Sequence, residues 1–150
     1  MTQNDPTLDT LRHFALDAAW QAGRVTLAHF QTGLTAERKA DNSPVTVADR
    51  AAEQLLRRLI LNRWPGHALI GEEFGHEGHS DTSGYTWIID PIDGTKSFVS
   101  GVPLYAVLLA LVRDGQPLLG VIHLPGLNEM VYAARGMGCY WNGRPARVSN

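Results

Sequence analysis

Leu8, Leu11, Ala15, Ala18, Ala22 and Val25 recur every three or four residues, a spacing that predicts an amphipathic helix over residues 6–31. Gly33 supplies its stop. After a polar stretch, Ala48, Ala52, Leu55, Leu59 and Ile60 predict a second helix over 46–63, closed by Trp64-Pro65-Gly66 because Pro65 cannot continue the hydrogen-bond ladder. The period then changes. Ala68-Leu69-Ile70 reads as a short apolar strand, 75–84 as a loop rich in Gly, His and Ser, and 85–89 as a buried strand. Further strands are expected over 104–112, 118–124, 130–134 and 138–141. Asp114-Gly115 and Asn142-Gly143 are tight-hairpin signals. The chain therefore reads as an α+β domain, two N-terminal helices packed on an antiparallel β-sheet.

Composition narrows the function. At 150 residues the chain can bury a core of its own. A net charge of −2 with no basic run gives no footprint for nucleic acid. The first ten residues are polar and acidic, unlike a secretory signal, and the apolar run 105–112 is too short to span a bilayer. No membrane or nucleic-acid partner and a cytoplasmic location are expected. Cys139 is the only cysteine, which excludes an intrachain disulfide and a Cys-based zinc site. It reads as a small strand packing residue.

Acidic residues stand where carboxylates are costly. Glu72-Glu73 follows one apolar strand, Asp90 closes another, and Asp93 comes three residues later in a Pro-and-Gly turn. Carboxylates gathered at strand ends repel one another unless a proton or cation neutralises them. Without cysteine or paired histidine ligands, oxygen ligation favours Mg²⁺, Mn²⁺ or Ca²⁺ over Zn²⁺. Taken singly, each acid also reads as an ordinary turn residue. Within Asp90-Pro91-Ile92-Asp93-Gly94-Thr95, Gly94 lets backbone N–H groups approach a ligand and Thr95 opens a short helical turn suited to phosphate. Thr46-Val47-Ala48-Asp49 fits a capping box, so Asp49 also reads as a helix cap. His76 and His79 lie in the Gly/Ser loop without a third ligand and read as solvated.

These residues carry a family resemblance. The run from Lys39 through Asn42-Ser43-Pro44 to Asp49 resembles the first signature of the inositol monophosphatase superfamily, and Gly71-Glu72-Glu73 its second. Trp87-Ile88-Ile89-Asp90-Pro91-Ile92-Asp93-Gly94-Thr95-Lys96-Ser97-Phe98 resembles the third, and Gly136-Met137-Gly138-Cys139-Tyr140-Trp141-Asn142-Gly143 is similar in kind. The resemblance implies a Mg²⁺-dependent phosphomonoesterase, with Mn²⁺ as a substitute, that acts on a small phosphorylated alcohol through a metal-activated water. By it, Glu72, Asp90 and the carbonyl of Ile92 hold a first metal, and Asp90 and Asp93 a second. Thr95 and Asp49 orient and help deprotonate the attacking water, with Glu72 assisting. Gly94 and Thr95 offer N–H groups to the phosphate, while Glu73 and Lys39 stand as charges beside the metal site.

Family members carry a second half whose Trp-Asp signature completes the second metal site. The resemblance thus implies that residues 1–150 correspond to the N-terminal metal-binding half of the layered αβαβα fold, and an isolated half is expected to expose the surface its complement covers. Full-length members are expected to form homodimers. Lys96-Ser97-Phe98, Ser100-Gly101-Val102-Pro103-Leu104 and Gly71-Glu72-Glu73-Phe74-Gly75 resemble the histidinol-phosphate phosphatases, so histidinol phosphate, a histidine-biosynthesis substrate, ranks first. Tyr105-Ala106-Val107 is closer to the inositol type, which keeps inositol 1-phosphate as the alternative. A non-catalytic cation- or partner-binding domain is the reading outside enzymes.

Overall fold

The computed structural model describes residues 6–40, 44–78 and 83–149, so His79 and residues 41–43 of the first signature run lie outside it. Helix α1, Leu8–His29, starts where the Thr7 hydroxyl accepts the N–H of Thr10. It stops before Gln31, which the sequence reading included and which takes a left-handed φ of 57°. Its inner face holds the expected Leu11, Ala15, Ala18 and Ala22, together with Ala19, Gly23 and Thr26. Helix α2, Val47–Arg63, begins one residue later than expected because Thr46 is its N-cap. Its inner face also differs from expectation. Leu56 is fully buried, Leu55 and Leu59 flank it, and the charged Glu53 and Arg57 are buried with it.

Strands β1 (Glu37–Arg38) and β2 (Pro44–Val45) form a small separate ribbon. The main sheet contains β3 (Ala68–Gly71), β4 (Gly75–Glu77), β5 (Tyr85–Asp93), β6 (Ala106–Arg113), β7 (Gln116–Leu124), β8 (Glu129–Ala134), β9 (Gly138–Trp141) and β10 (Arg144–Pro145). Their order is β10-β9-β8-β7-β6-β5-β3-β4. From β5 to β10 it is the antiparallel meander read from the sequence. Asp114-Gly115 and Asn142-Gly143 take left-handed φ values at the expected turns. Two features depart from that reading. Part of the expected 75–84 loop is β4, which folds back on β3, and the chain then returns so that β5 runs parallel to β3. Strand β5 also continues past Ile89, across Pro91, to Asp93. A bulge between Asp90 and Asp93 spares the ladder the N–H that proline lacks.

Both helices pack on one face of the sheet. Trp87, Leu109, Leu111, Leu119 and Val121 meet Leu11, Ala15, Ala52, Leu56 and Ile60 in one core. Trp87 is fully buried, and its indole Nε1–H donates to His67 Nδ1 at 3.0 Å. A smaller cluster of Ala48, Ile92, Phe98 and Tyr105 supports the turn that follows β5. The other face of the sheet carries an apolar hollow of about 520 Å³, lined by Ile88, Leu108, Ile122, Val131 and Cys139, with Asp90 at its side. No described residues cover it: Ile88 and Ile122 stay 42% and 45% exposed. No described helix is long and apolar enough to cross a membrane.

Candidate functional site

The parallel pairing of β3 with β5 sets the site. Parallel strands end on the same side, and the register matches Gly71 with Ile89. Glu72 and Asp90, the next residue of each strand, therefore emerge side by side, and the Glu72 N–H donates to the Ile89 carbonyl at 3.1 Å. Past the bulge, Asp93 lies at the surface, and Gly94 turns the chain with φ 91° into the short helix α3, Thr95–Val99. A Cβ at Gly94 would stand 3.2 Å from the Leu104 carbonyl in a left-handed conformation, so glycine suits both the turn and the close approach.

Asp90 is the most perturbed of these acids. Burial first, then the neighbouring Glu72 and Asp93 carboxylates, push it up to about 7. Its Oδ1 is buried and has no hydrogen-bond partner. Such an atom calls for a proton or a cation. Lys39 closes the other side of Glu72, its Nζ donating to Glu72 at 3.0 Å and to Glu73 at 2.6 Å. Burial alone would lower the Lys39 ammonium, but the two glutamates outweigh it and hold it above its usual range. Burial also raises Glu73, against the opposing hydrogen bond from Lys39. Among the described residues, no three His, Cys, Asp or Glu side chains close around one point as a finished cation cage. What converges is a chain of pairs, Lys39–Glu72, Glu72–Asp90 and Asp90–Asp93.

Asp49 approaches from α2. Its Oδ2 accepts the Thr46 N–H at 2.7 Å and the Thr46 hydroxyl at 2.5 Å, a capping box, so that half of the sequence reading is present. Its Oδ1 faces the other way and accepts the Thr95 hydroxyl at 3.3 Å. The same hydroxyl lies 3.0 Å from the Ile92 carbonyl. Asp49 is only 1% exposed, and burial lifts its pKa against the opposing bonds from Thr46 and Thr95. A raised carboxylate is a better proton acceptor than a solvated one. One side chain thus caps a helix and touches the Asp93-Gly94-Thr95 turn.

The remaining sequence candidates separate from this cluster. His76 sits exposed on β4, paired with Ile70. Sequence reasoning missed Glu53 and Arg57. Glu53 follows Asp49 by four residues, the helical spacing that places both on one face, and that was the available signal.

Residues 7–150 match the sequence profile of the Inositol monophosphatase family. The chain is 48% identical over 136 residues to a histidinol-phosphatase of Chlorobaculum parvum, covering 90% of this chain and 52% of that protein. It is 44% identical to a histidinol-phosphatase of Mycobacterium tuberculosis, covering 90% and 53%. Among solved structures it superimposes on the Thermotoga maritima IMPase with a TM-score of 0.85 at 35% identity, covering 92% of this chain and 53% of that one. The chain thus spans about half the length of the relatives it matches. It belongs to the inositol monophosphatase family.

Proposed function

We propose that this chain carries the cation- and phosphate-binding half of a phosphomonoesterase, with histidinol phosphate as its substrate. The observation that carries the reading is Asp90. A buried carboxyl oxygen without a partner, raised to about 7 between Glu72 and Asp93, is the donor set a hard divalent cation neutralises. Glu72, Asp90, Asp93 and the Ile92 carbonyl would hold that cation, Mg²⁺ or Mn²⁺. When bound, it lowers the pKa of water and offsets charge on the phosphoryl oxygens.

The chain's own groups supply the rest. The Thr95 hydroxyl donates to Asp49, which leaves its lone pairs able to accept a proton from a water between it and Glu72. Asp49 takes the displaced proton as the water oxygen bonds to phosphorus. The bond from phosphorus to the alcohol oxygen then breaks with its electron pair on oxygen, which takes a proton from solvent water, and Asp49 returns the proton it holds to solvent. The N–H groups of Gly94 and Thr95, at a helix start where amides lack intrahelical partners, receive the phosphate. Two histidinol-phosphatases among the similar proteins support the substrate choice. Inositol 1-phosphate is the second reading, favoured by Tyr105-Ala106-Val107.

Turnover of both phosphates by the intact protein at saturating Mg²⁺ tests this, with Asp93→Asn beside wild type. Asp93 is exposed, so the variant should melt near wild type while turnover falls by roughly two orders of magnitude or more. Near-normal turnover by Asp93→Asn would sink the cation assignment. A preference for inositol 1-phosphate would replace the substrate.

A further inference from the structure

The turn that carries Glu72 is held from below by a residue outside the motifs. Glu53 is fully buried on α2. Its Oε2 accepts the N–H of Glu73 at 2.7 Å, and its Oε1 accepts the N–H of Phe74 at 3.1 Å. Together with the bond from the Glu72 N–H to Ile89, three successive amides of the turn are fixed, one on the sheet and two on this carboxylate. Arg57 neutralises Glu53 through Nε at 2.8 Å and reaches on to β4, donating to Glu77 at 2.8 Å and to the Gly75 carbonyl. A Cβ at Gly71 would fall 1.9 Å from Glu53 Oε1, so the chain before the turn has room only for glycine there.

Position on the helix gives the arrangement its purpose. Asp49 and Glu53 lie four residues apart, about 6 Å along the axis of α2. Asp49 grips the turn after β5, and Glu53 grips the turn after β3. A rigid helix therefore spans the two turns whose carboxylates must meet. Neutralising Arg57 would need only a carboxylate, whereas this one also takes the N–H groups of Glu73 and Phe74, so placement of the turn is what it adds.

We infer that Glu53, backed by Arg57, is a positioning residue that sets Glu72 against Asp90 for cation binding. This rests on the cation site proposed above. Glu53 touches neither substrate nor reacting atoms and acts through the backbone of residues 73 and 74.

Glu53→Gln in the intact protein tests it. Glutamine keeps the size but replaces one acceptor oxygen with an NH₂ group, which must face an N–H donor and so releases one of the grips. Two readouts apply. Amide hydrogen exchange in the metal-free protein should quicken at Glu73 and Phe74 while the amides of β6 and β7 keep their protection. Mn²⁺ affinity, read from the paramagnetic resonance of the free ion, should fall about 10- to 100-fold, the usual loss when a partner behind a metal ligand is removed. Leu56→Val, a purely apolar change one turn away, should cost stability and leave Mn²⁺ affinity unmoved. If Glu53→Gln does not fold, Glu53→Asp replaces it. Its charge remains, but it is one methylene too short to hold Arg57 and both amides, and the same two losses are expected. Unchanged Mn²⁺ affinity in the folded variant, where Asp93→Asn abolishes binding, overturns the positioning role. Equal Mn²⁺ binding by wild type and Asp93→Asn instead removes the cation site, and the positioning role with it.

Discussion

Asp90→Asn should make the metal-free protein more stable and the metal-loaded protein less so. A carboxyl raised from 3.8 to about 7 keeps its proton in the folded state over a range where the unfolded chain has released it. The folded state then binds more protons between those two values, so stability is full below 3.8 and is lost as pH rises towards 7. Three pH units of displacement correspond to an upper limit of ~4 kcal/mol. Asp90 is partly exposed and its neighbours are screened, so a discounted figure of ~1–2 kcal/mol is the working expectation. Asparagine has no charge to repel Glu72 and Asp93, and its amide can donate to Glu72. In chelator at pH 8, the variant should melt roughly 3–6 °C above wild type. That advantage should shrink to nothing at pH 4. With cation at a hundred times its dissociation constant, wild type should gain ~2.7 kcal/mol and the order should reverse, because the variant lacks a ligand of the proposed site. Melting both proteins with and without Mg²⁺ from pH 4 to 8 gives the full comparison. Parallel pH profiles, or a variant that melts lower than wild type in chelator at pH 8, would refute the account of Asp90.

Gly71→Ala should cost ~2–3 kcal/mol in urea denaturation, because its methyl overlaps Glu53 Oε1 and the site cannot expand without moving Arg57. A variant as stable as wild type would mean that the Glu53 contact is slack. His123 is 5% exposed, and its Nδ1 lies 3.0 Å from the Ala19 carbonyl. Burial lowers its pKa below the ordinary 6.5, so below that value the unfolded chain takes the extra proton and stability falls with pH. Subtracting the pH–stability curve of His123→Gln from that of wild type should leave a component that declines from pH 6.5 downwards, and a flat difference would show that His123 does not resist protonation.

The helices and hairpins were legible because their signals are local. Apolar spacing located α1 and α2, and Asp114-Gly115 and Asn142-Gly143 marked turns through residues that accept a left-handed backbone. The direction of β3 was not legible. A four-residue apolar strand looks the same whether its neighbour runs parallel or antiparallel, and the choice is made by the return of the chain through β4. That choice matters for the site, since Glu72 meets Asp90 only in the parallel register. Pro91 suggested the end of a strand, yet a bulge carried β5 past it to Asp93. Glu53 and Arg57 drew no attention in the sequence because charges on a helix usually face solvent, and only their tertiary partners place them inside.

Asp49 caps α2 and, in the function proposed above, also takes a proton, and that bears on how such a chain would decay. Relieved of selection for turnover, it would lose Asp93 early, since an exposed side chain on a turn can be exchanged with little harm to folding. Asp49 would persist much longer, because its carboxylate holds the Thr46 N–H and hydroxyl at the start of α2, and its loss would fray a helix that brings Ala52, Leu56 and Ile60 to the core. In a lineage of such proteins, a surviving Asp49 is therefore poor evidence that the chemistry survives. Asp93 is the better marker, since the fold gives a silent descendant no reason to keep it.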